Sequence, residues 1–72
     1  MSLGNSLRDT RLDRDLTQEA LAGLVGVTRQ TIIAIEKEKF VPSVRLALQL
    51  ARALRKPIAD LFWLEERKGA RP

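Results

Sequence analysis

Three side chains in one short stretch carry chemistry suited to the edge of a base pair. Arg29 has a guanidinium fork that matches guanine, and Gln30 has an amide that pairs two-pronged with adenine. Ile33 shares their outer face if residues 28–37 are helical, because positions three and four apart align on a helix. Reading bases demands that such side chains project from a rigid element narrow enough to enter a groove.

The flanking residues supply that element. The stretch Gln18–Ile35, QEALAGLVGVTRQTIIAI, reads as two short helices joined by a tight turn. Leu21, Ala22 and Val25 make one apolar face of the first helix. Gly26 follows, and glycine tolerates the left-handed backbone that ends a helix and reverses the chain. Val27 plugs the turn, Thr28 offers a capping oxygen, and Ile32 and Ile35 repeat three apart on the second helix. Ala22 stands where the helices cross, and its small side chain permits close approach. Gln18 sits in the first turn and has no core role. This is a helix-turn-helix over 18–37, whose second helix keeps its outer face free for a major groove.

Composition narrows the alternatives. The chain has 72 residues with no cysteine and no histidine, which removes disulfides and Cys/His zinc sites. Its serines have no adjacent base and there is no glycine-rich phosphate loop, so neither catalysis nor a cofactor is expected. No apolar run nears the roughly 20 residues that span a bilayer. Met1–Gly4 lack the basic and apolar regions of a signal peptide, and a cytoplasmic location is expected. The net charge of +4 permits a phosphate-bearing partner, though many domains are this basic. Residues 1–40 balance, with six basic against six acidic; the excess begins at Arg45.

Five helices are expected within one domain over 1–72. The first runs from Ser6 to about Arg14, with Leu7 inward, Asn5 or Ser6 as cap, and Asp15 ending it in a left-handed conformation. Thr17 caps the second and Thr28 the third, followed by a loop to Pro42. Ser43 caps a fourth helix to about Arg55, striped by Ala47, Leu50, Ala51 and Leu54. Pro57 starts a short fifth helix ending near Leu61. Phe62–Leu64 is apolar and β-compatible, and Glu65–Pro72 is polar and expected to be loose.

With these residues placed, the chain resembles the Cro/C1-type (XRE) helix-turn-helix family, in particular its short single-domain members. LTQEALAGLVGVTRQTIIAIEKEKFVPSVRLALQLARAL and PIADLF carry the likeness, TRQTI and AIEKEKFVPS most tellingly, from about Asn5 to Leu64. The resemblance implies an all-α, five-helix lambda-repressor-like domain, with a small two-stranded sheet where Phe62–Leu64 pairs near Leu3. It implies base contacts from Arg29, Gln30 and Ile33, and phosphate contacts from Gln18, Thr28, Thr31, Lys37 and Lys39. It also implies an internal ion pair between Arg11 and Glu36. Three positions depart from the family pattern. Thr10 replaces an apolar residue, Asp15 a glycine, and Ala34 a longer polar side chain, which leaves fewer base contacts.

Plainer readings stand beside these. Gln30 also reads as a solvated polar residue, Lys37 and Lys39 as an ordinary charged loop, and Arg11 and Glu36 as separate surface charges. The apolar run Phe62-Trp63-Leu64 serves equally as a plug over the core or as a partner surface. Taken as a surface, region 57–66 would dimerise the protein through Ile58, Leu61, Phe62, Trp63 and Leu64. The function expected is a repressor that binds double-stranded palindromic DNA as a homodimer, without metal or membrane. The alternative is an antitoxin-like interaction module that binds DNA secondarily, and a helical protein with no DNA role is the plainest reading.

Overall fold

The computed structural model describes residues 2–66. In chain order it contains β1 (Ser2–Asn5), α1 (Leu7–Asp13), α2 (Gln18–Val25), α3 (Arg29–Glu36), α4 (Val44–Leu54), α5 (Ile58–Leu61) and β2 (Phe62–Glu65). The five expected helices are present. So is the sheet: β1 and β2 are antiparallel, with Leu3 opposite Leu64 and Gly4 opposite Trp63. Residues 67–72 of the tail expected to be loose lie outside the described residues, and Glu65 belongs to β2.

Hydroxyls start three of the helices. Thr17 accepts from the Ala20 amide at 3.0 Å, Thr28 from Thr31 at 3.3 Å, and Ser43 from Leu46 at 3.0 Å. Each satisfies an amide that has no partner inside its helix. At α1 the two candidate caps divide the work. Asn5 Oδ1 accepts from the Leu7 amide at 3.1 Å, while Ser6 Oγ donates to the Asp60 carbonyl at 2.8 Å. Pro57 sits one place earlier than expected, at the cap of α5.

The ends of α1, α2, α3 and α4 share one device. An amide beyond each end bonds back five residues: Leu16 to Arg11, Val27 to Ala22, Lys39 to Ala34 and Lys56 to Ala51, all within 3.1 Å. The residue just before that amide is left-handed in every case: Asp15, Gly26, Glu38 and Arg55, with φ of 56°, 76°, 61° and 57°. Only one of the four is glycine, so three helix ends hold a side chain in a conformation L-residues disfavour.

The core joins Leu7, the α2 face, Ile32, Ile35 and the α4 stripe. Leu61 and Phe62 belong to it as well, at 0% and 9% exposed. The sequence reading puts both on a dimer surface, and within the single chain they pack into its own core. Ile58, Trp63 and Leu64 remain exposed. Thr10 is buried, but its departure from an apolar residue leaves no orphan, because its hydroxyl lies 3.2 Å from Ser6 Oγ. Ser6 spends its only proton on Asp60, so Thr10 must be the donor between them. Among the described residues, no helix is long and apolar enough to cross a membrane.

Candidate nucleic-acid interface

Packing against α2 decides which face of α3 is free. Ile32 and Ile35 are buried at 0% and 1% exposed, and Ala22 at 3%, so the crossing is close and dry. Rotating outward around α3, Arg29 and Gln30 are exposed, while Ile33 and Ala34 are half-buried. Ile33 is absent from the core cluster, although Ile32 and Ile35 on the same helix belong to it. Lys37 and Lys39 are exposed just past the end of α3. The face of α3 opposite the core therefore carries donors, an acceptor and apolar contact area together. That mixture is chemically matched to the donors, acceptors and methyl groups on base edges.

Behind this face stands a three-residue network. Arg11 Nε donates to Glu36 Oε2 at 2.7 Å and Nη2 to Oε1 at 3.3 Å, while Nη1 donates to the Leu16 carbonyl at 2.8 Å. The two side chains are 8% and 4% exposed. A two-pronged contact of this kind, buried on both sides, locks α1 to the end of α3. Gln18 joins it, because Nε2 donates to Glu36 Oε1 at 3.1 Å. The amide is thus oriented from behind, and its second N–H is left for an outside acceptor. Thr28 and Thr31 behave alike: their hydroxyls lie 3.2 Å apart, and only one of the two protons is needed between them.

The sequence did not mark every residue that shapes this site. Asn5 Nδ2 donates to the Ile35 carbonyl at 2.9 Å, which ties the terminal sheet to the last turn of α3. Nothing local signals a contact across 30 residues. Away from this face, Arg14 is equally unmarked: Nε donates to the Leu54 carbonyl at 2.8 Å and Nη2 to the Arg55 carbonyl at 3.4 Å, placing a cation at the negative end of α4. Arg8 is a third unmarked residue. Together with Arg11, Thr17, Gln18, Glu19 and Arg29 it lines an open polar cleft where α1, α2 and α3 meet. Among the described residues, no group of three or more Asp or Glu is gathered as a metal site would require.

Similarity to known proteins agrees with this geometry. Residues 7–61 match the helix-turn-helix family. An uncharacterized HTH-type transcriptional regulator of Methanothermobacter thermautotrophicus is 56% identical over 61 residues, covering 83% of this chain and 88% of its own. Among solved structures, the restriction-modification controller protein C.AhdI of Aeromonas hydrophila superposes with a TM-score of 0.73 at 36% identity, covering 78% of this chain and 85% of that one. The P22 c2 repressor, solved in complex with a synthetic operator, gives 0.71 at 28% identity, with 74% and 80% covered. Its family consists of transcriptional regulators rather than enzymes, and the protein described by these residues belongs to the Cro/C1-type (XRE) helix-turn-helix family of DNA-binding regulators.

Proposed function

We propose that this protein represses transcription by binding a two-fold-symmetric operator as a homodimer. The observation that carries the reading is the outer face of α3, where Arg29, Gln30 and Ile33 project from a helix fixed by a cap, a core and a buried ion pair. Arg29 and Gln30 read base edges, and Ile33 supplies apolar contact beside them. Gln18, Thr28, Thr31, Lys37 and Lys39 hold phosphates on either side and set the register of α3 in the groove. Repression is the simplest outcome for a small domain that occupies a promoter.

One recognition helix reads few base pairs, whereas two related by a dyad read half-sites about 34–36 Å apart. With Leu61 and Phe62 buried, the second copy meets Ile58, Trp63 and Leu64. Val44 and Leu48, one turn apart on α4, add exposed apolar area.

The test is selection of bound duplexes from random DNA, combined with sedimentation equilibrium. A palindromic motif and a species of twice the monomer mass are expected. A motif without symmetry, or no preference over scrambled duplex at physiological salt, would sink the reading.

A further inference from the structure

The polar cleft between α1, α2 and α3 is lined by three arginines, and they are not equivalent. Arg11 is held inward, because each of its three nitrogens donates an N–H to Glu36 or the Leu16 carbonyl. Its charge is balanced by Glu36 at 2.7 Å. Arg8 and Arg29 are exposed and take part in no ion pair among the described residues. Glu19 is the one acidic side chain on the cleft. The cleft therefore keeps one net positive charge once Arg11 and Glu36 cancel. Gln18 sits in the same cleft with its amide already turned by Glu36.

The geometry points to Arg8 as a further contact to a backbone phosphate of duplex DNA, made from α1 beside Gln18. This rests on the DNA-binding reading above. A helix about 10–12 Å across fills a major groove about 12 Å wide. Whatever flanks such a helix meets the phosphate rows rather than the base edges. Arg29 opens the recognition face and also lines the cleft, so the cleft borders the groove that α3 enters. Arg8 lines the same cleft from α1 and takes part in no ion pair among the described residues. A guanidinium there meets a phosphate with two parallel hydrogen bonds and carries no base information.

Salt dependence tests this. One phosphate contact accounts for about 0.9 in the slope of log affinity against log salt, so losing one shallows the fall between about 50 and 200 mM by about 3.5-fold. Binding of the full chain is measured by fluorescence anisotropy on a fixed duplex across that range, for the wild type, Arg8→Gln and Arg8→Lys. Arg8→Gln is expected to lose about 0.9 of slope, with the melting temperature and the preferred sequence unchanged. Arg8→Lys is expected to keep the wild-type slope. An unchanged slope in folded Arg8→Gln, or an altered base preference, would overturn the assignment. Slopes are equally readable on scrambled duplex, where every protein bound through its phosphates shows them. A wild type with no sequence preference thus sinks the regulator reading, while the slope difference still decides Arg8.

Discussion

The α2–α3 unit and the terminal region hold their residues in place by opposite means. In α2–α3 the partners are close in sequence: Thr28 caps three residues ahead, and Val27 bonds back to Ala22 across the Gly26 turn. In the terminal region they are far apart. Ser6 reaches Asp60 across 54 residues, and β1 finds β2 only after all five helices are laid down. A local contact closes a short loop at small entropic cost, whereas a distant one forms only when the intervening chain is already ordered. The turn and the start of the recognition helix are thus specified by nearby residues, while its far end is tied by Arg11 and the sheet by residues from the opposite end of the chain. Asn5 connects the two, because it lies in β1 and bonds the last turn of α3.

The sharpest test of this contrast is Arg11→Ala. Stranding Glu36 in a buried pair costs about 3–5 kcal/mol. Chemical denaturation should show that loss, and a double-mutant cycle with Glu36→Ala should show strong coupling. Additive effects would mean that α1 and α3 are held by the core alone.

Next comes the split within the terminal segment. Leu61→Ala removes a fully buried side chain and should cost about 2–5 kcal/mol of folding stability. Leu64 is 70% exposed, so Leu64→Ala should change monomer stability by less than about 0.5 kcal/mol and act on self-association instead. Equal losses of monomer stability would erase the distinction between core and surface in this run.

Within the recognition unit, Gln30→Ala should lower discrimination at one base pair by about 1–3 kcal/mol and leave the melting temperature unchanged. Gln18→Ala should weaken selected and scrambled duplexes alike, since phosphates carry no sequence. Competition binding on single-base variants of the selected site separates the two patterns.

The smallest effect concerns the helix ends. Arg55 is left-handed with φ 57° where glycine would sit without strain. Arg55→Gly should raise stability by about 1 kcal/mol, net of the freedom glycine gains when unfolded. The opposite change helps at Gly23, inside α2: Gly23→Ala should stabilise through helix propensity by about 1 kcal/mol, as nothing stands near its missing Cβ. Thermal melts of the two variants resolve both shifts.

The sequence determined what short-range physics decides. Apolar residues three and four apart placed Leu21, Ala22, Val25, Ile32 and Ile35 inward, and so left Arg29, Gln30 and Ile33 to the outside. Thr17, Thr28 and Ser43 marked three helix starts, because a capping bond spans only three residues. Tertiary structure alone decided the rest. Glu38 and Arg55 adopt left-handed turns that their residue types do not advertise, since packing on either side forces the chain to reverse there. Phe62, Trp63 and Leu64 look alike as a run. Their fates divide because strand alternation turns Phe62 in and Trp63 out over Gly4, while Leu64 lies beyond the cover of the helices. Arg8, Arg11 and Arg14 are three arginines on one short stretch, and nothing local separates them. Only their distant partners do: Glu36 neutralises Arg11, the end of α4 holds Arg14, and Arg8 lines the cleft with no ion pair among the described residues.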